Sequence, residues 1–97
     1  MEISELRERI DGIDDKIVKL FCERMRVSAD IAQYKSEMRL PVRDPEREAC
    51  KLADVLGKTD VDLCGYTSKL YSLILELSCA HQERVMQTIN TPDKKTQ

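Results

Sequence analysis

Residues 3–40 read ISELRERIDGIDDKIVKLFCERMRVSADIAQYKSEMRL, and this stretch decides the architecture. Its apolar residues fall at Ile3, Leu6, Ile10, Ile13, Ile17, Leu20, Val27, Ile31, Tyr34 and Met38, the alternating three-four spacing of a heptad stripe. The spacing predicts one long helix that starts at Ile3 or Ser4. Nothing breaks it before Leu40-Pro41, because a lone Gly12 costs only about 1 kcal/mol inside a helix. Roughly 36 residues at about 1.5 Å each give a rod of about 54 Å, whereas a compact domain of this size has a radius of gyration of about 13 Å. Such a helix cannot cover its stripe within one small globule. An intertwined homodimeric helical bundle follows as the expected fold.

Working outward, Leu40-Pro41-Val42-Arg43 forms a short connector, and Asp44-Pro45 supplies an N-cap followed by proline at the first helical position. A second helix runs from there to about Leu56, with Gly57 as the expected C′ residue and Leu52, Val55 and Leu56 on its apolar face. A third opens near Asp62 as N-cap, carries Leu63, Tyr66, Leu70, Leu73, Ile74, Leu77, Val85, Met86 and Ile89 at helical spacing, and ends before Thr91-Pro92. The expectation is therefore all-α: three helices, one very long, in a single domain over residues 1–90. Residues 91–97 read as a frayed tail or the start of a linker.

Composition agrees with this reading. Ninety-seven residues with 16 basic and 18 acidic side chains, 41% hydrophobic and 35% charged, are too apolar for a disordered polyelectrolyte and too charged for a membrane span. No Lys/Arg run provides a nucleic-acid footprint, so no nucleic-acid partner and no membrane is expected. The opening Met1-Glu2-Ile3-Ser4-Glu5 lacks a basic region followed by an apolar one, and a cytoplasmic chain with reduced thiols is expected. Cys22, Cys50, Cys64 and Cys79 form no Cys-x-x-Cys pair and His81 is the only histidine, so a zinc site is not expected. The cysteines read as small apolar fillers.

Exceptions to a regular stripe are informative. Position 24 calls for an apolar residue and holds Arg24; Lys35, eleven residues later, lies only about 20° around the helix and about 16 Å further along. Two cations on one inward face require an anion, because burying each without one costs several kcal/mol. Arg7 stands about 25 Å from Arg24 along the axis and cannot reach the same ligand in cis. In an intertwined dimer, a partner chain could bring its Arg7 there. On the second helix Glu48 leads the row 48, 52, 55 and is a buried-acid candidate, while Asp44 caps the helix. On the third, Ser78 and Gln82 continue the row Leu70, Ile74.

Each feature also has a plainer reading. In it Arg24 is a register-setting residue paired to a glutamate, Glu48 its neutralising partner, Lys35 a snorkelling surface lysine, Ser78 and Gln82 ordinary polar substitutions, and Arg7 and Arg47 surface residues. The combination decides against these. Three helices aim polar groups at one interior and cations outnumber the buried acid, which predicts an enclosed site for a small polyanion.

These residues resemble the all-α, intertwined-dimer chorismate mutases, and the resemblance covers residue 3 to about residue 90. It is carried by Leu6-Arg7-Glu8-Arg9-Ile10-Asp11-Gly12-Ile13-Asp14, Glu23-Arg24-Met25, Tyr34-Lys35, the block Pro41-Val42-Arg43-Asp44-Pro45-Glu46-Arg47-Glu48, and Ile74-Leu75-Glu76-Leu77-Ser78-Cys79-Ala80-His81-Gln82. The resemblance implies the Claisen rearrangement of chorismate to prephenate in phenylalanine and tyrosine biosynthesis, a pericyclic step without cofactor, metal or nucleophile. It implies that Arg24 and the other chain's Arg7 clamp the substrate carboxylates and that Lys35 and Gln82 donate to the ether oxygen. Glu48 and the Asp44 backbone would orient the ring hydroxyl, Ser78 would add a carboxylate hydrogen bond, and Arg47 would support the carboxylate end.

Two other readings compete. An isochorismate-pyruvate lyase is similar along the first helix, but those lyases generally lack the Val42-Arg43-Asp44 and Arg47-Glu48 arrangement. A non-catalytic dimerisation or effector-sensing module would bind without turnover. Within the first reading, two arrangements stay open: a stand-alone enzyme, or the N-terminal domain of a bifunctional enzyme with prephenate dehydratase or dehydrogenase activity.

Overall fold

The structure, a computed structural model, describes residues 2–90. The helical signals in the sequence translate into three helices, α1 (Ile3–Met38), α2 (Pro45–Gly57) and α3 (Cys64–Asn90), with a single 3₁₀ turn at Val61–Leu63 leading into α3. The expected tail at 91–97 lies outside the described residues.

Helix α1 is one uninterrupted element of 36 residues. It stops two residues short of the Leu40-Pro41 break. Arg39 takes the left-handed conformation at φ 57°, its N–H bonds to the Ser36 carbonyl, and the Leu40 N–H reaches back 2.8 Å to the Lys35 carbonyl. This is the Schellman closure usually given to glycine, here built on arginine. Helix α2 begins as expected, with the Asp44 carboxylate accepting the Arg47 N–H at 3.0 Å. Its end differs from expectation: Gly57 is the last helical residue rather than a left-handed C′, and Lys58 closes the helix with φ −101°. Asp62 likewise caps nothing, because it lies within the 3₁₀ turn and α3 starts at Cys64.

Helix α3 is the central element, packing on both α1 and α2, which do not pack on each other. Its contacts with α1 pair residue 28 with 78, 35 with 82 and 36 with 90, so the two helices run parallel. Contacts with α2 pair 48 with 79, and Leu56 with Cys64, so α2 runs antiparallel to α3. The resulting shape is elongated, 61 × 32 × 15 Å, with a radius of gyration of 17.6 Å against about 13 Å for a compact domain of this length.

The elongation has a plain cause. Residues 2–20 are all exposed, and the stripe predicted to be covered is bare: Ile3 is 61% exposed, Ile10 56%, Ile17 57% and Leu20 62%. Among the described residues only Ala32 and Cys79 are buried apolar groups. Cys64 is half-buried and Cys22 and Cys50 are exposed, so the reading of all four cysteines as core fillers holds for Cys79 alone; all four are free thiols. No helix among the described residues is long and apolar enough to cross a membrane.

Candidate active site

The described chain buries three polar side chains, Ser28, Ser78 and Gln82, and all three line one cleft of about 450 Å³. The cleft lies where the second half of α1, the connector, the first turns of α2 and the second half of α3 meet. Arg24 and Lys35 enter it from α1, Asp44, Arg47 and Glu48 from the start of α2, and Ser78 and Gln82 from α3. Seven of the eight predicted site residues are thus brought together. The eighth, Arg7, sits on the exposed part of α1, about 25 Å from Arg24 by helical rise, and does not line the cleft.

Lysine 35 is held rather than solvated. Its Nζ donates to the Val42 carbonyl at 2.7 Å and to Gln82 Oε1 at 3.0 Å. The connector after α1 therefore does more than turn the chain, because its backbone anchors one end of the ammonium. Gln82 is oriented in turn, its Nε2 donating to Ser28 Oγ at 3.0 Å, and Ser28 Oγ lies 2.6 Å from Ser78 Oγ. No buried side-chain nitrogen or oxygen among the described residues lacks a partner.

The plainer reading in which Glu48 neutralises Arg24 is not what the structure contains. Glu48 Oε1 pairs with Arg43 at 3.0 Å, and Oε2 accepts the Asp44 N–H at 3.4 Å. Its side chain is 25% exposed, so it is half-buried rather than a buried acid. Arg24, half-buried, makes no ion pair among the described residues. The expected enclosure is also incomplete in one chain, since Asp44 and Arg47 are exposed at the rim.

The cleft is electropositive. Arg24, Lys35, Arg47 and Lys51 face it against the carboxylates of Asp44 and Glu48, and both carboxylates are already engaged, one by the α2 N-terminus and one by Arg43. Val27, Ile31 and Leu75 supply an apolar wall. Polar ends around an apolar wall suit a small ring that carries more than one negative charge. Beside Glu48, Cys79 is held protonated: burial pushes its thiol above the ordinary value, and the Glu48 charge adds to this, while Arg43 opposes it. Among the described residues no group of three or more His, Cys, Asp and Glu side chains is placed to hold a metal.

Sequence reasoning missed Ser28, Arg43, Lys51 and Cys79 as residues of this site or its support. Ser28 had a signal, because it stands four residues after Arg24 and seven before Lys35, on the row already marked by its charged exceptions. The part played by the Val42 carbonyl had none, since a backbone acceptor leaves no trace in residue types.

Comparison with known families settles the class: residues 6–83 match the model for chorismate mutase type II. The chain belongs to that family. A chorismate mutase from Methanocaldococcus jannaschii is 30% identical over 97 residues, covering 97% of both chains. Bifunctional chorismate mutase/prephenate dehydratases are also similar, that of Enterobacter agglomerans at 34% over 90 residues and that of Buchnera aphidicola from Acyrthosiphon pisum at 40% over 83. The chain spans 23% and 22% of these two longer proteins. No solved structure matches the chain at a significant level. In this chorismate mutase family member, the matched span takes in every residue of the cleft named above.

Proposed function

We propose that the protein catalyses the Claisen rearrangement of chorismate to prephenate in the cytoplasm, as an intertwined homodimer whose two sites each take one arginine from the opposite chain. The observation that carries this is the Lys35–Gln82 pair. Lys35 has three N–H donors and spends two on Val42 and Gln82, and the Gln82 amide spends one of two on Ser28. One donor from each remains for a ligand in the cleft that both side chains line.

That is the requirement of the reaction. Chorismate is a flexible dianion with an ether oxygen and a ring hydroxyl, and its rearrangement needs the compact conformer held and charge on the ether oxygen stabilised as the C–O bond breaks. Lys35 and Gln82 donate to the ether oxygen. Arg24 grips one carboxylate, with Arg47 and Ser78 supporting, and Glu48 with the Asp44 backbone receives the ring hydroxyl. Fixing Glu48 by Arg43 orients its carboxylate for that hydroxyl.

Arg7 of the partner subunit completes the carboxylate clamp. A second copy is the natural cover for the bare stripe of α1: each half-exposed Ile or Leu that it covers contributes on the order of 1 kcal/mol, which a chain with two buried apolar residues lacks. Laying the N-terminal half of one α1 across the middle of the other covers the stripe and delivers Arg7 to the open rim in one movement.

The test follows chorismate loss by ultraviolet absorbance with purified protein, then acidifies to convert prephenate to phenylpyruvate, with Arg24→Ala alongside. Turnover in the wild type that is lost in the variant supports mutase activity through this cleft. Pyruvate release from isochorismate without prephenate formation would point to the lyase reading instead, and binding without turnover to a non-catalytic module.

A further inference from the structure

Ser28 is 3% exposed, sits in the middle of α1 and touches two residues of the site through one hydroxyl. The direction of its hydrogen bond with Gln82 can be worked out. An ammonium has no acceptor, so the Gln82 atom facing Lys35 is the carbonyl oxygen, and the amide nitrogen faces Ser28. Ser28 Oγ must then accept from Gln82. On its other side stands Ser78, whose Oγ lies at 2.6 Å, a contact in which either hydroxyl can donate, and whose carbonyl accepts from Ser28 Oγ at 3.4 Å.

We propose that Ser28 is a positioning residue for the reaction: it sets the amide face that Gln82 presents to the ether oxygen and holds the Ser78 hydroxyl in place at the substrate carboxylate. The contacts run from Lys35 through Gln82 and Ser28 to Ser78, and Ser28 is their hinge. Were alanine there, the Gln82 amide would lose its only partner on the nitrogen side, and its donor could rotate away from the cleft; Ser78 would be free to spend its proton within α3. An aligned donor aimed at developing charge acts mainly in the transition state, whereas a carboxylate contact acts in binding. The two arms therefore separate kinetically.

This inference rests on the mutase reading, and wild-type turnover of chorismate is the control that tests that reading by itself. The experiment measures kcat and KM for wild type, Ser28→Ala, Gln82→Ala and the double variant, with thermal melts to confirm folding; alanine is the better helix former, so the helix is retained. Losing one neutral hydrogen bond on a positioned group should lower kcat by about threefold to tenfold in Ser28→Ala and raise KM. In the Gln82→Ala background the further kcat loss on adding Ser28→Ala should vanish while the KM increase persists. Ser28→Cys, which keeps the volume but accepts poorly, should behave like the alanine variant. The same kcat loss in both backgrounds, an unchanged kcat in Ser28→Ala, or wild-type kcat in Ser28→Cys would each overturn the proposal while leaving the mutase activity in place.

Discussion

Lys35 Nζ stands 3.0 Å from Gln82 Oε1, across the parallel helices α1 and α3 and 47 residues apart in sequence. The contact joins a fixed charge to an amide that cannot titrate near neutral pH. It pre-orients two donors before any ligand arrives, which is how a site lowers the reorganisation needed in a transition state.

The first expectation is a large and specific loss on removing that charge. Lys35→Ala should lower kcat by at least about a hundredfold, the scale of one pre-organised charge-stabilising donor. Circular dichroism should show the helices intact. An unchanged kcat in steady-state assays would make Lys35 a structural residue.

The second concerns pH. Because Gln82 donates without titrating, kcat/KM should stay broadly flat from mildly acidic to mildly basic pH. Gln82→Glu should introduce a limb that falls as pH rises, because a carboxyl group donates only while protonated. A steep loss in the wild type between about pH 6 and 8 would count against Gln82 as the ether-oxygen donor.

The proposed sharing of Arg7 between subunits gives the third. Arg7→Ala and Arg24→Ala should each be nearly inactive alone. After the two are unfolded together and refolded, half of the dimers should be mixed, each with one intact site, and activity should return to about a quarter of wild type. No recovery on mixing, with dimers confirmed by light scattering, would place Arg7 outside the site.

Arg39 offers a stability test far from the chemistry. Its left-handed conformation, φ 57°, costs a side-chain-bearing residue about 1 kcal/mol that glycine avoids. Arg39→Gly should raise the melting temperature by a few degrees with kcat unchanged.

Thiol chemistry supplies the last. With its thiol held above the ordinary value by burial and by Glu48, Cys79 should react with a disulfide reagent last, and exposed Cys50 first. The sign for stability follows: above pH 9.0, the ordinary thiol value, the unfolded chain releases the Cys79 proton while the native chain retains it, so native stability falls as pH rises through that range. Rapid labelling of Cys79 in the native protein would contradict its burial against Glu48.

Much of this was legible in residue types. A heptad stripe with Arg24 at an apolar position, followed by Lys35 on the same face, marks both the long helix and the half of it that bears the site. Helix ends were less legible: Gly57 sits inside α2 and an arginine takes the left-handed turn that ends α1, because backbone hydrogen bonding can outweigh residue preference by about 1 kcal/mol. Ser28 escaped notice because a serine on a polar-interrupted row looks neutral until its partners 50 and 54 residues away are seen. Glu48 was legible as an acid of the site, but its pairing with Arg43 rather than Arg24 depends on how the connector folds back beside α2.

Five of the described residues are buried, Ser28, Ala32, Ser78, Cys79 and Gln82, and all but Ala32 line the cleft. The subunit has almost no interior apart from the place where it would meet its ligand. In larger proteins a scaffold can absorb drift while the site is retuned, but here an exchange at Ser28, Lys35, Ser78 or Gln82 that alters ligand preference also alters how α1 and α3 are joined. At those four positions altered specificity and altered robustness arrive together.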